Sequence, residues 1–297
     1  MQRRIRNLVK DASHRLSFAR GPRAILVVLG CQRSGTSMML RAIDQDWDAK
    51  VFGEFSSINL PAGPGHHEGD PRQQFSIRMR PLAQVDAELA RLRYRIVALK
   101  PLVESQRAAE ILESIDGARL VWMYRDYRDV SRSIVGTFGK DIHRRNLEPI
   151  IRSEPGNWRS ESVAEDVRAV VANHYSPDMD PLDGAALFWY ARNRLFLDQA
   201  LAGNERVLLL SYEDLVAEPV AMLARVYGFA GLGTPVSRVA KGIHARAVGA
   251  GRQSTPSPEI SELCEGLTHR LEVAGRSLDQ GSVISPRPAP AESRSGE

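Results

Sequence analysis

Short apolar runs alternate with amphipathic segments along most of the chain. Each run has the length and the aliphatic composition of a buried strand. The predicted strands cover residues 24–29, 49–52, 95–99, 119–124 and 206–211. Between them, the predicted helices begin at Gly35 and cover residues 83–92, 106–114, 184–201 and 215–229. Strands that alternate with helices favour an α/β fold in three layers, with a central parallel sheet flanked by helices.

Residues 139–183 interrupt this alternation. The segment is polar and contains several prolines, so we predict a helical insertion on the substrate side of the sheet. Its Trp158 is a candidate either for stacking on an acceptor or for anchoring the loop. Residues 282–297 combine prolines and serines without periodicity, which predicts a disordered tail. We therefore expect one α/β domain over residues 24–281.

The charge of the chain is unevenly distributed. The whole sequence has 40 basic and 36 acidic residues and a net charge of +4. Its first 23 residues hold seven basic residues against Asp11 alone, a net +6, which leaves −2 for the rest. A slightly acidic body argues against a nucleic-acid-binding domain, so we expect no nucleic-acid partner.

Residues 1–23 form a basic arm with two interpretations. We favour a mobile solvated arm, because its apolar face is short. The alternative is a basic amphipathic segment that makes weak contact with an anionic membrane surface. No apolar run approaches the ~20 residues of a membrane span, and the arm lacks the apolar run of a signal peptide. We therefore expect a cytoplasmic protein, and the sequence does not indicate its oligomeric state.

Cysteine is too rare to build a covalent framework. Cys31 and Cys264 are the only two cysteines, which excludes a disulfide-rich scaffold and a four-cysteine zinc site. No residues recur at metal-ligand spacing, so we expect no metal requirement. Cys31 stands two residues before Arg33, and we expect this cation to lower the pKa of the thiol and make it sensitive to oxidation.

The strongest local signal is the segment AILVVLGCQRSGTSMMLRAI, which starts at Ala24. A buried strand leads into a loop rich in glycine and hydroxyl residues, and an apolar helix follows. Such a loop gathers backbone amides at a helix N-terminus and forms a nest for an anion, most simply a phosphate. A Gly/Ser turn without a ligand is the simpler alternative, which the coincidence of strand, loop, cation and helix disfavours. The candidate anion-binding residues are Arg33, Ser34, Gly35, Thr36 and Ser37.

This loop differs from the phosphate loop of nucleoside-triphosphate-binding proteins. In the pattern GxxxxGK[ST], a lysine follows the second glycine and reaches the terminal phosphates. Here Thr36 stands at that position, and the cation is Arg33, ahead of the glycine. The loop is thus P-loop-like but lacks the main electrostatic support for a triphosphate.

A second candidate anion site follows the strand 119–124. Arg125 comes at the end of this strand, and Ser133 lies eight residues later on the predicted next helix. Ligands bind at the carboxyl ends of strands in open α/β sheets, so both side chains could meet one phosphate. Surface charge pairing among Arg125, Asp126, Arg128 and Asp129 explains this segment equally well when it is taken alone.

Taken in order, three segments resemble the sulfotransferases that use 3′-phosphoadenosine 5′-phosphosulfate (PAPS). These are the R-S-G-T-S loop, the R-D-x-R-D-V-x-x-S segment from Arg125, and S-Y-E-D-L from Ser211. The resemblance spans residues 24–232 and is to the bacterial, glycan- and tyrosylprotein-like branch. It implies that the first loop holds the 5′-phosphosulfate, that Arg125 and Ser133 hold the 3′-phosphate, and that Tyr212 helps to line the nucleotide site. Gly251 and Arg252 are the nearest match to the late Gly-Arg loop of that family.

The resemblance also implies the reacting groups. Glu54, in V-F-G-E, matches the glutamate that activates the acceptor hydroxyl in the tyrosylprotein branch, and Lys100 matches a position near the transferred sulfuryl group. Arg33 is expected to stabilise the leaving phosphate. His66 and His67 are rival bases, because the pKa of imidazole suits proton transfer near neutrality. A surface glutamate and a surface lysine are the simpler interpretations of Glu54 and Lys100.

The sequence thus predicts an enzyme that transfers a sulfuryl group from PAPS to a hydroxyl of a glycan, a lipid or another metabolite. Two alternatives stay open. One is a small-molecule kinase of the P-loop class that uses ATP. The other is a nucleotide-binding protein without catalytic activity, in which the anion-binding residues are present but Glu54 is inert.

Overall fold

Five parallel strands form the central sheet of this computed structural model. The structure describes residues 2–16, 24–54, 56, 59–61, 77–233, 237–244, 248–249, 251 and 255–281. The strands are β1 (Ala24–Gly30), β2 (Ala49–Phe52), β5 (Ile96–Leu99), β6 (Ala118–Tyr124) and β7 (Val207–Ser211). Their order across the sheet is β2-β5-β1-β6-β7. Two further strands, β3 (Asn59–Pro61) and β4 (Ile77–Met79), pair antiparallel in a separate small sheet.

Helices connect the strands and cover the sheet. They are α1 (Gln2–Leu16), α2 (Thr36–Asp44), α3 (Leu82–Leu89), α4 (Ala108–Ser114), α5 (Tyr127–Phe138), α6 (Ile142–Ile151), α7 (Glu165–His174), α8 (Pro181–Asp198), α9 (Tyr212–Ala217), α10 (Pro219–Phe229) and α11 (Pro258–Gly281). Two 3₁₀ helices, Leu102–Arg107 and Ser237–Gly242, complete the described elements. This architecture confirms the predicted α/β fold with a central parallel sheet between helical layers.

The strand order at the centre of the sheet determines where a ligand site can form. β1 lies between β5 and β6, and both pairings are parallel. The chain therefore crosses from one side of β1 to the other, and the loop after β1 opens at the point where the strand order reverses. Ligands bind at such switch points, outside the carboxyl ends of the strands. The loop that begins at Gly30 occupies this position.

The sheet separates two hydrophobic layers because every strand of its centre is buried on both faces. All seven residues of β1 are buried, as expected for a strand of a parallel sheet. Val27 and Leu29 pack with α5 and α8 on one face, whereas Leu26 and Val28 pack with α2 and α10 on the other. This alternation follows from the two-residue period of a strand.

The predicted strands are confirmed to within one residue at each end, but three helical features differ from the prediction. Helix 215–229 is interrupted, because Pro219 has no amide hydrogen and begins α10. The segment 106–114 starts as a 3₁₀ turn and becomes α4. Helix α11 was not predicted at all. The predicted tail, 282–297, lies outside the described residues.

The N-terminal segment is helical, which differs from the solvated arm that the sequence favours. Arg6 pairs with Asp44 at 2.8 Å, and the Lys10 ammonium donates to the carbonyl of Asp46 at 2.6 Å. Burial of Lys10 lowers its pKa. These contacts fix α1 beside the end of α2, at the amino edge of the sheet. Contact of the basic arm with a membrane stays a prediction. Within the described part of the chain, no helix combines the length and apolar character needed to cross a bilayer.

Candidate active site

The loop after β1 depends on two glycines. Gly30 has a φ of 132°, and a Cβ there would collide with the backbone carbonyl of Met123 on β6. Gly35 has a φ of 88° and precedes the first turn of α2; a Cβ would come within 2.5 Å of the Tyr212 ring. Both backbone conformations are costly for other residues, so the sequence G-C-Q-R-S-G folds into one tight turn.

A cavity of about 540 Å³ opens over this loop at the carboxyl edge of the sheet. It brings together segments that are far apart in sequence. The side chains predicted from sequence that line it are Arg33, Thr36, Ser37, Glu54, Lys100, Arg125, Ser133, Trp158 and Tyr212, and Gly35 lines it too. A cavity of this size accommodates a small organic ligand.

Arg33 and Ser133 meet at this cavity although they are 100 residues apart. The Arg33 Nε donates a hydrogen bond to the Ser133 Oγ at 2.9 Å. Arg33 has a φ of 69°, an uncommon conformation for a residue with a side chain. Such strained residues cluster at ligand-binding sites, where the surrounding fold holds them in place. The exposed guanidinium and the hydroxyl thus form one polar corner.

Arg125 is buried and held from several directions. Its Nη2 donates to the Asp129 carboxylate at 3.1 Å, and its Nη1 donates to the carbonyl of Arg33 at 3.4 Å. The guanidinium lies 4.3 Å from the centre of the Tyr212 ring. The indole N–H of Trp189 donates to the Arg125 carbonyl at 2.9 Å, which fixes the backbone. The Arg125 guanidinium that lines the cavity is therefore preorganised by its contacts within the protein.

Part of the simpler interpretation of this segment is also present in the structure. Asp126 caps α5 by accepting hydrogen bonds from the amides of Arg128 and Asp129. Arg128 pairs with Asp126 and Glu265. Surface pairing therefore involves Arg128, whereas Arg125 points to the cavity and to the buried Asp129.

Glu54 and Lys100 form an ion pair beside the loop. The Lys100 Nζ lies 3.3 Å from the Glu54 Oε2 and donates to the Ser37 Oγ at 3.0 Å. Lys100 directly follows β5, and its amide donates to the carbonyl of Phe52 on β2. Neighbouring parallel strands thus deliver the two side chains to the same edge. Neither group is a solvated surface charge, since Lys100 is buried and Glu54 is half-buried.

Ser34 and Gly251 occupy different positions from the other predicted residues. The Ser34 side chain is completely buried, and its hydroxyl has no hydrogen-bond partner within the described residues. Gly251 packs against the backbone of Arg128, where a Cβ would collide. Neither residue belongs to the cavity lining. Arg252, His66 and His67 lie outside the described residues.

Cys31 is not the reactive thiol that the sequence suggested. The residue is completely buried, and burial raises the pKa of its thiol to about 12. The buried guanidinium of Arg192 lowers this pKa, but less than burial raises it. The prediction was wrong because the side chain turns into the core below the loop, away from the exposed Arg33.

The sequence reasoning missed several residues of the cavity. Phe188 and Arg192 are one turn apart on α8, but residues 184–196 are all buried, so no apolar stripe distinguishes the face that lines the cavity. Burial lowers the pKa of Arg192 to about 10. The missed lining residues are Gln32, Met38, Arg41, Leu102, Val103, Phe138, Phe188 and Arg192.

Two sequence comparisons find nothing. No known family model matches the chain, and no curated protein matches it.

Within the described residues, no three His, Cys, Asp or Glu side chains converge as they would around a metal ion.

Solved structures give weak matches over most of the chain. A sulfotransferase from Alicyclobacillus acidocaldarius matches with 17% identity and a TM-score of 0.48, covering 88% of this chain and 97% of the other. The sulfotransferase domain of the Synechococcus olefin synthase matches with 17% identity and a TM-score of 0.43, covering 91% and 98%. Mouse sulfotransferase SULT7A1 in complex with PAP matches with 15% identity and a TM-score of 0.44, covering 92% of each chain.

Proposed function

We propose that this protein is a sulfotransferase that moves the sulfuryl group of PAPS to a hydroxyl of an acceptor. One observation carries the proposal. The polar corner of Arg33 and Ser133, the buried Arg125 and the Glu54–Lys100 pair all line a single cavity over the loop after β1. Anion-binding groups and a carboxylate that could take a proton thus face the same space.

The cavity residues suit a nucleotide that carries a phosphate group on both the 3′ and the 5′ oxygen of its ribose. Loop amides, Arg33 and the hydroxyls of Thr36 and Ser37 would hold the 5′-phosphosulfate. Arg125 and Ser133 would hold the 3′-phosphate, because a guanidinium donates several hydrogen bonds to phosphate oxygens in one plane. Groups for two adjoining phosphates fit a nucleotide with a 3′-phosphate better than one with a single phosphate chain.

The reaction is a displacement at sulfur. The acceptor oxygen attacks the sulfur atom, and the bond between sulfur and the bridging oxygen of the 5′-phosphate breaks. The products are a sulfate ester and adenosine 3′,5′-bisphosphate. Negative charge grows on the leaving phosphate, so cations and amides placed there lower the barrier.

Glu54 takes the acceptor proton in this proposal. Its carboxylate lies 3.3 Å from the Lys100 ammonium, which in turn contacts Ser37 of the loop. The lysine therefore spans the distance between base and loop and would stabilise the oxygens of the moving sulfuryl group. Orientation of the reactants by such fixed groups contributes to rate by removing their freedom of motion.

A donor competition tests this function. The purified protein is incubated with a cell extract and either PAPS labelled in sulfur or ATP labelled in its terminal phosphate. We expect label to move from PAPS without added magnesium, and we expect Glu54→Gln to slow the transfer by at least ~10²-fold. Transfer from ATP alone would establish the kinase alternative. Tight binding of adenosine 3′,5′-bisphosphate without transfer from either donor would establish the non-catalytic alternative.

The cytoplasm is the compartment that we propose. Both cysteines are buried free thiols, which suits a reducing environment. Fractionation of the producing cells, followed by detection of the chain, tests this assignment.

A further inference from the structure

We infer that the acceptor is an apolar alcohol or phenol and not a glycan; this inference rests on the proposed function. The hydroxyl would face Glu54 and Lys100, and the hydrocarbon body would lie against an apolar wall of the same cavity. This apolar wall consists of Leu102, Val103, Phe138, Trp158 and Phe188.

The apolar wall begins next to the proposed reacting groups. Leu102 and Val103 follow Lys100 after Pro101 and form the first turn of the 3₁₀ helix Leu102–Arg107. An acceptor whose hydroxyl meets Lys100 therefore places its next atoms beside these two side chains. Burying such hydrocarbon against these side chains removes it from water and stabilises the complex.

Phe138 forms the outer part of the wall. It ends α5, and 37% of its surface is exposed although it lines the cavity. Phe138 therefore offers an apolar ring at the edge of the cavity, continuous with the apolar side chains deeper in the wall. Gly139 follows as the C-cap of α5 with a φ of 89°. The Phe138 ring therefore lies at the end of the helix.

Trp158 forms the inner part and is rigidly held. Its ring contacts Phe188 edge-on, with centroids 6.1 Å apart. The guanidiniums of Arg159 and Arg192 lie 4.4 and 4.9 Å from the ring centre. Only 7% of Trp158 is exposed. The residue is therefore an anchored wall, and it does not offer the open stacking surface that the sequence suggested as one of two roles.

Within the part of the chain that the structure describes, the apolar wall offers a glycan few hydrogen-bond partners. Each sugar hydroxyl that is buried without a hydrogen bond weakens binding. Arg192 is the polar residue beside Trp158 and Phe188 in the described lining, and it already donates to the Trp158 carbonyl and to the Gln106 Oε1, both at 3.2 Å. The other charged lining residues are Arg33 on the loop, Arg41 on α2, Arg125 after β6 and the Glu54–Lys100 pair.

Calorimetry on the protein saturated with adenosine 3′,5′-bisphosphate tests this inference. The probes are 2-naphthol and 1-decanol as apolar acceptors, and N-acetylglucosamine as a sugar with hydroxyls of both primary and secondary type. We expect at least one apolar probe to bind ~100-fold more tightly than the sugar. Phe138→Ala should weaken its binding by ~10-fold while leaving the affinity for the nucleotide within twofold.

Val220→Ala is the matched control, because Val220 is 62% exposed on α10, on the opposite face of the sheet. This variant should bind all three probes and the nucleotide as the wild type does. The inference is wrong if the sugar binds as tightly as both apolar probes, or if Phe138→Ala changes nothing. Failure of the bisphosphate itself to bind would overturn the proposed function instead, so the two failures are distinct.

Discussion

The carboxylate of Asp129 accepts the amide hydrogen of Gly251 at 2.6 Å. The same carboxylate accepts the amide of Gly249 at 2.9 Å and the guanidinium of Arg125 at 3.1 Å. One buried side chain therefore joins the segment around Gly251 to the cation that lines the cavity. Asp129 thus acts as a positioning residue for Arg125, because it fixes the guanidinium without lining the cavity itself.

Replacement of Asp129 by asparagine should weaken nucleotide binding selectively. The amide cannot accept three hydrogen bonds and carries no charge to hold Arg125. We expect the affinity for adenosine 3′,5′-bisphosphate to fall by ~10-fold or more, and the affinity for 5′-AMP to change little. Titration calorimetry with both nucleotides measures this.

Asp178→Asn provides the control for that experiment, since the Asp178 side chain is 93% exposed. It should leave both affinities unchanged. An equal loss of affinity for both nucleotides in Asp129→Asn would mean that Asp129 supports only the fold.

Glu54→Gln should separate binding from chemistry. The amide keeps the shape of the side chain but cannot take a proton, so transfer should fall by about 10²- to 10⁴-fold. The affinity for adenosine 3′,5′-bisphosphate should stay within a few-fold of wild type. Rates of label transfer and calorimetric titrations check the two statements, with Glu113→Gln on the exposed side of α4 as control. Full activity in Glu54→Gln would assign the base elsewhere, with His66 and His67 as the next candidates.

Gly35→Ala should disturb the loop. A Cβ at this position requires an unfavourable φ and meets the Tyr212 ring at 2.5 Å. We expect Tm to fall by several degrees, because ~1–3 kcal/mol of strain corresponds to that shift in a domain of this size. Nucleotide affinity should fall with it. Scanning calorimetry measures the change.

Gly136→Ala is the matched substitution within a helix. Nothing lies within 4 Å of the new methyl group, and alanine is favoured over glycine in α5. Its Tm should stay unchanged or rise slightly. A Gly35→Ala protein as stable as Gly136→Ala would show that the loop conformation does not depend on glycine.

The Cys31 thiol should be inert in the folded protein. Its pKa is raised to about 12, so the thiolate is ~10³-fold rarer at pH 8 than for an ordinary cysteine. A thiol reagent should label Cys31 only after unfolding, and Cys264→Ser removes the second thiol from the assay. The unfolded chain releases the thiol proton at lower pH than the folded one. The contribution of this group to the free energy of unfolding therefore decreases progressively as the pH rises from about 8.5 to 12. Rapid labelling of native protein at pH 8 would contradict the buried position.

The strands were predictable because burial on both faces leaves a local mark. All residues of the run Ala24–Gly30 are apolar or glycine, so the strand is recognised by its continuous apolar composition and not by an alternation of apolar and polar residues. Helix α11 has a helical pattern in its sequence, since its buried residues recur at helical spacing: Ile260, Cys264, Leu267 and Leu271. Its exposed glycine, Gly266, interrupts the pattern and obscures it. The interruption of the predicted helix 215–229 could also be predicted, because Pro219 cannot continue a helix.

The cavity was only half predictable. Arg33 and Arg125 were found because each follows a strand, and strand ends share one edge of a parallel sheet. The apolar wall was not found, since Phe138, Trp158 and Phe188 belong to separate elements that meet only in the folded chain. Asp129 was considered only as a surface pairing residue, because its partner amides lie 120 and 122 residues away.

The central claim is that the cavity recognises a nucleotide by its 3′-phosphate as well as its 5′-phosphate. Calorimetric titration of the wild-type protein with adenosine 3′,5′-bisphosphate and with 5′-AMP tests it most directly, with Arg125→Ala measured in parallel. We predict that the bisphosphate binds ~100-fold more tightly than 5′-AMP, since each hydrogen bond to a charged group contributes about 1.5–3 kcal/mol. Arg125→Ala should remove most of that difference. Equal affinity of the wild-type protein for the two nucleotides would contradict the account.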